Sequence, residues 1–179
     1  MIEIHDYEVK NMIRMAEEAR DRAYAPYSKF HVGACLKAKN GAYYLGCNIE
    51  NAAYTPTNCA ERTAMFKAVY EGEREFDALA IIWDGDDYAV PCGVCRQVLA
   101  EFCAPDMPVI CSNKEGEYKI MELRALLPEA AKKNYVYHIP VDEKDACGVR
   151  RKCERNMARF GAELPNVSLL EAYPSQILL

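Results

Sequence analysis

The chain has 179 residues, enough for one domain with length to spare, and its 51% hydrophobic content is ample for a buried core. A formal net charge of −5 argues against a polynucleotide partner, which calls for a basic groove, and no apolar run approaches the ~20 residues of a membrane span. The acidic, mixed start Met1-Ile2-Glu3-Ile4-His5-Asp6 does not read as a secretion signal, and nine cysteines in no regular framework read as reduced thiols of a cytoplasmic protein.

Asp6 is placed to cap a first helix, along which Val9, Met12, Ile13, Ala16 and Ala19 recur at helical spacing. Ala25-Pro26-Tyr27-Ser28 interrupts the chain. Phe30, Val32, Ala34 and Leu36 then alternate as one face of a strand. Asn40-Gly41 signals a hairpin, and Tyr43 to Cys47 returns as its second strand. A loop from Asn48 to Asn58 leads into a helix running from Cys59 to about Gly72. Phe76 to Trp83 is an apolar run of strand length, and a loop follows. A second helix opens at Cys92 and continues through Phe102. Pro108 to Ser112 and Tyr118 to Ile120 read as short strands, and Met121 to Ala131 as a helix stopped or kinked by Pro128. The order implies an α/β three-layer sandwich around one mixed five-stranded sheet.

Chemistry concentrates in Cys59-Ala60-Glu61-Arg62-Thr63-Ala64 and Pro91-Cys92-Gly93-Val94-Cys95-Arg96. The C-x-x-C spacing lets the thiolates of Cys92 and Cys95 converge on one ion, and Cys59 supplies a third. Three sulfur ligands suit Zn²⁺ and leave its fourth tetrahedral position for water, the arrangement of a catalytic rather than a structural zinc. Zinc lowers the pKa of such a water to roughly 7, and Glu61, two residues beyond Cys59, is the carboxylate to take and return the proton. Three thiolates leave the centre one negative charge in excess. Arg62, and as a second candidate Arg96, would offset it by donating to sulfur. Ordinary buried cysteines, or a non-catalytic zinc-binding module with a closed site, are the alternatives.

With these two stretches go Ala25-Pro26-Tyr27-Ser28-Lys29-Phe30, Val32-Gly33-Ala34 and Gly46-Cys47-Asn48-Ile49-Glu50-Asn51-Ala52-Ala53-Tyr54. Together they resemble the small homotetrameric zinc-dependent cytidine deaminases over roughly residues 8 to 130. The resemblance implies hydrolysis of cytidine and 2′-deoxycytidine to the uridine nucleosides and ammonia, in pyrimidine salvage, with one Zn²⁺ per subunit and a zinc-activated water attacking C4 of the base. It also implies that Asn48 and Glu50 hold the ribose hydroxyls, and that the backbone N–H of Ala60 binds the pyrimidine carbonyl. Phe30 would pack on the base, with a core position in the first strand as the competing role. Tyr54 would reach toward a neighbouring subunit's site, with an interface or core role as the alternative. A blasticidin-type antibiotic nucleoside deaminase shares the cysteine motifs, but the N-x-E-N-A-A-Y stretch fits ribonucleosides better.

Two positions depart from the family pattern. Leu126-Leu127-Pro128-Glu129-Ala130 is followed by Ala131 where an aromatic is common, leaving Tyr135 or Tyr137 as substitutes. Val90 stands where a small polar residue is common. Residues 1–139 read as the catalytic domain and 140–179 as a C-terminal extension. There Val149, Cys153, Met157 and Phe160 mark a helical face among basic residues, which packs on this or a neighbouring subunit.

Overall fold

A computed structural model describes residues 4–130. The expected domain boundary at 139/140, the helix around Val149 to Phe160, and Ala131, Tyr135 and Tyr137 lie outside the described residues. The elements are α1 (Asp6–Arg20), β1 (Val32–Ala38), β2 (Tyr43–Cys47), α2 (Ala60–Tyr70), β3 (Phe76–Trp83), α3 (Gly93–Phe102), β4 (Pro108–Ser112), β5 (Tyr118–Glu122) and α4 (Leu123–Leu126). The strands form one mixed sheet in the order β2-β1-β3-β4-β5. β1 runs antiparallel to both β2 and β3, β3 is parallel to β4, and β5 returns antiparallel.

This topology explains why two distant cysteine segments meet. The crossover from β2 to β3 passes over β1 and carries α2; the crossover from β3 to β4 carries α3. Both advance across the sheet in the same direction, and right-handed connections then place both helices on one face. Side-chain alternation agrees. Ala34, Leu36, Leu79, Ile81, Val109 and Cys111 pack with Ala64 and Met65 of α2 and Leu99 of α3. Cys35, Ala78, Ala80, Ile82 and Ile110 face Val9, Met12, Ile13 and Ala16 of α1. A sheet covered on both sides reads as near-continuous apolar strands, as β3 and β4 do. The expected three-layer α/β sandwich is the fold.

Two glycines set the spacing between layers. A Cβ on Gly33 would collide with the backbone of α1 at Ala16 and Arg20, and one on Gly46 with the backbone of α2 at Ala60 and Ala64. Backbone cannot swing aside as a flexible side chain can. Gly46→Ala is therefore expected to cost about 3 kcal/mol by overpacking, read as a lower urea midpoint with an unchanged m-value. A midpoint equal to the wild type would show that α2 does not press on β2 as described.

Three local expectations need correction. His5, not Asp6, is the N-cap of α1, and it makes no side-chain capping bond. Asp6 is the first helical residue; it pairs with Lys10 at 2.8 Å and accepts from Tyr118 Oη at 2.6 Å. Phe30 precedes β1 rather than opening it, because Lys29 adopts a left-handed φ of 59° that ends the extended run. The helix expected over Met121 to Ala131 is confined to Leu123–Leu126. Met121 and Glu122 are taken by β5, paired with Val109 and Pro108, and Leu127 (φ −142°, ψ 78°) is out of the helical region ahead of Pro128, whose ring disfavours a helical residue before it.

Candidate active site

Both crossover helices begin at a cysteine. Cys59 is the N-cap of α2 and Cys92 the N-cap of α3, each in extended backbone; Cys95 is the third residue of α3. The first-turn N–H groups of a helix have no intrahelical acceptor and carry the positive end of its dipole, so thiolates are favoured there. The Sγ atoms of Cys59 and Cys92 lie 3.8 Å apart, and all three sulfurs fall within 4.8 Å of one another. Zn–S bonds of ~2.3 Å in a tetrahedron put sulfurs ~3.8 Å apart, so these residues fit zinc with little adjustment. Among the described residues this is the one group of three or more such donors.

The sulfurs are not equivalent. The Cys59 thiol is held low, at about 5, first by the hydrogen bond from Cys95 and further by Arg62, against the opposing effect of burial. Cys95, fully buried and the donor in that pair, is raised. Arg62 Nη2 donates to Cys59 Sγ at 3.7 Å and to the Thr57 carbonyl at 3.1 Å, as the excess charge on the centre demands. Arg96 does not share this duty. Its Nε donates to the Pro91 carbonyl at 2.7 Å and its Nη1 to the Leu126 carbonyl at 2.9 Å, so it braces the cysteine loop against α4.

Glu61 is the second residue of α2, on the core side of the helix, and only 5% exposed. Burial pushes its carboxyl up to about 7, from an ordinary 4.5. A carboxyl poised near neutrality can both accept and release a proton under working conditions.

A cavity of about 430 Å³ opens on this group. Cys59, Glu61 and Cys92 line it; Phe30, Val32, Ile81, Trp83, Tyr88, Ala89 and Val90 add apolar surface, and Ser28, Asn48 and Glu50 add polar groups. Asn48 is 8% exposed, and its amide is oriented by two bonds: Oδ1 accepts from the Val32 N–H at 2.9 Å and Nδ2 donates to the Phe30 carbonyl at 2.7 Å. One Nδ2 proton is left for another acceptor. Glu50 accepts from the N–H groups of Tyr27 (2.8 Å) and Ser28 (3.2 Å) and from the Ser28 hydroxyl. That hydroxyl, foremost, holds the Glu50 carboxyl below its ordinary range. An oriented amide donor beside an ionised carboxylate acceptor matches a vicinal diol.

Phe30 is 44% exposed and lines the cavity. Ala60 opens α2, where its N–H is one of the free first-turn donors. Tyr54 is 74% exposed with a left-handed φ of 58°, packs its ring 6.3 Å from that of Tyr27, and does not line the cavity. Sequence reasoning missed Ser28, Tyr88 and Trp83. Ser28 lay inside a motif already singled out, whereas Trp83 read simply as the last apolar residue of a strand.

Three thiols that fit a metal ion, with a buried carboxyl beside them at the strand ends where two helices begin, define a hydrolytic metal site. Residues 7–111 match the family described as the cytidine and deoxycytidylate deaminase zinc-binding region. A cytidine deaminase from Sporosarcina psychrophila is 52% identical over 126 residues, 70% of this chain and 93% of that protein. One from Halalkalibacterium halodurans is 49% identical, over 66% of this chain and 90% of its own length. The crystal structure of the Burkholderia pseudomallei cytidine deaminase superposes with a TM-score of 0.67 at 41% identity, covering 72% of this chain and all of that one. The chain belongs to the cytidine deaminase family, and its cofactor is one Zn²⁺ per subunit.

Proposed function

We propose that the protein hydrolyses the amino group from C4 of cytidine and 2′-deoxycytidine, releasing ammonia and the corresponding uridine nucleoside. The observation that carries this reading is one cavity lined both by Cys59, Cys92 and Glu61, of the three-thiol cluster and its carboxylate, and by Asn48 and Glu50. Metal chemistry and a diol anchor sharing one cavity suit a nucleoside.

Cys59, Cys92 and Cys95 hold the zinc, which when bound supplies an acidified water as nucleophile and polarises its surroundings. Arg62 withdraws charge from Cys59 and so keeps a site of three thiolates from becoming too electron-rich. The N–H of Ala60 binds the C2 carbonyl, fixing which ring edge faces the sulfurs. Phe30 packs on the base. Asn48 donates to, and Glu50 accepts from, the sugar hydroxyls; 2′-deoxycytidine keeps the 3′-hydroxyl and so forgoes only part of this anchorage. Glu61 takes the proton of the attacking water, delivers it to N3 and then assists departure of ammonia.

The exposure of Tyr54 supports a role in which it reaches a neighbouring subunit's site. This accords with a homotetramer. No described helix is long and apolar enough to cross a membrane, in keeping with work on free nucleosides in the cytoplasm.

The test is direct. Purified protein mixed with cytidine is expected to remove the cytosine absorbance at a rate of order 10 s⁻¹ per subunit. Stripping the metal with a chelator should abolish the change, and restoring zinc should recover it. A fully zinc-loaded protein without turnover would rule the reading out.

A further inference from the structure

Trp83 is the only tryptophan in the chain and the last residue of β3, in register with Val32. Its indole leaves the sheet at the rim of the cavity and is fixed on three sides. Nε1–H donates to the Asp87 carbonyl. The six-membered ring lies so close over Gly85 that a Cβ there would fall within it. The ring of Phe30 packs against it, centroids 4.8 Å apart and planes tilted by 40°. Tilted aromatic pairs at this separation are attractive beyond the area they bury.

The loop holding the indole is itself tied down. Lys114 N–H donates to the Gly85 carbonyl at 3.0 Å, Ala89 N–H to the Ser112 carbonyl at 3.0 Å, and Asn113 Nδ2 to the Asp86 carbonyl at 3.1 Å. At its start, Asp84 accepts from the backbone N–H of His31 at 3.3 Å. Phe30 follows the left-handed Lys29; its N–H is held by the Ser28 hydroxyl at 3.0 Å and its carbonyl by Asn48 Nδ2 at 2.7 Å, while its ring is 44% exposed. Trp83 is the partner of this aromatic pair whose ring has a hydrogen bond of its own, and the ring assigned to the base is the one it supports.

We propose that Trp83 is a substrate-positioning residue. Its indole braces Phe30 and extends the aromatic wall, so that a flat pyrimidine is gripped in one plane before reaction. This rests on the nucleoside-deaminase reading above. Because the wall touches the base and not the reacting bond, its loss is uniform in ground and transition states and falls on KM rather than kcat.

The experiment compares wild type, Trp83→Ala, Trp83→Phe and Gly85→Ala with cytidine as substrate. It adds a titration of wild-type indole fluorescence with uridine, the unconsumed product. With a single tryptophan, the emission reports this residue alone. Trp83→Ala is expected to raise KM about tenfold with kcat within about threefold of wild type. Trp83→Phe, which keeps a ring against Phe30, should recover most of the loss. Gly85→Ala, which displaces the indole without deleting it, should repeat the KM increase and supplies the result should Trp83→Ala not fold. Uridine should shift wild-type emission saturably. A wild type without turnover overturns both this proposal and the activity. An active wild type whose KM is untouched by Trp83→Ala or Gly85→Ala, whose kcat falls instead, or whose emission ignores uridine overturns this proposal alone.

Discussion

Glu61→Ala is expected to keep one zinc per chain and to lose activity by about 10⁴-fold, the upper end of what a positioned acid–base contributes. The two parts of that expectation come from different features. Metal retention follows because the three sulfurs reach their positions from the N-caps of two helices and one residue of α3, none of which depends on the carboxylate. Activity is lost because Glu61 is the buried carboxyl that lines the cavity beside the sulfurs, while the other carboxylate lining it, Glu50, is engaged by Tyr27 and Ser28. Folding is expected to survive. Burial foremost, with the charge of Cys59, pushes the Glu61 carboxyl up to about 7, so the native state bears a desolvation cost that truncation lifts. Metal analysis alongside cytidine kinetics checks both parts. A variant that deaminates at wild-type rate would remove Glu61 from the mechanism, and one that loses zinc would make it a structural residue. Glu61→Gln separates shape from proton transfer: it fills the same space but cannot carry the proton, and should be as inactive as the alanine variant.

Most of the fold was legible because the periodicity of each element agreed with its burial. β2, β3 and β4 run over the residues their apolar patterns mark, and α2 and α3 begin within a residue of the cysteines that open them. Where the reading failed, tertiary pairing had overridden a local pattern. Met121-Glu122-Leu123-Arg124-Ala125-Leu126 has helical periodicity, but β4 recruits its first two residues as a strand. The two arginines show a different limit. Each stands within a turn of a metal-binding cysteine, and sequence spacing does not say which one faces sulfur. Arg62 lies three residues after Cys59, on the same face, and donates to it. Arg96 lies four residues after Cys92, but the carbonyls of Pro91 and Leu126 take its guanidinium instead. Trp83 was beyond reach for a third reason. Its role depends on a loop folding back so that Gly85 and Asp87 hold the indole, and no periodicity records that.

Cys95→Ala is expected to abolish both zinc binding and turnover, and the other buried cysteines provide the contrast that gives this result meaning. Cys35, Cys103 and Cys111 are also buried, and burial pushes their thiols up to about 12, 12 and 11. Protonated and without a converging partner, they pack as small apolar groups. Replacing any of them by alanine deletes one sulfur from the core and should cost on the order of 1 kcal/mol, with zinc content and kcat unchanged. Cys95 is as deeply buried, but its sulfur faces two others at the head of α3. A zinc site's binding energy divided among its ligands gives roughly 3 kcal/mol, or about a hundredfold in affinity, for each thiolate. With only Cys59 and Cys92 left, the ion would be held by two sulfurs lining the cavity, Cys92 already exposed. Loss of the metal also removes the tie between α2 and α3. The melting temperature of Cys95→Ala should therefore no longer respond to added zinc, while that of Cys35→Ala should rise with zinc as the wild type's does. If Cys95→Ala retained stoichiometric zinc, the metal would have to be held by a different set of residues, and the site built on these three thiols would be wrong.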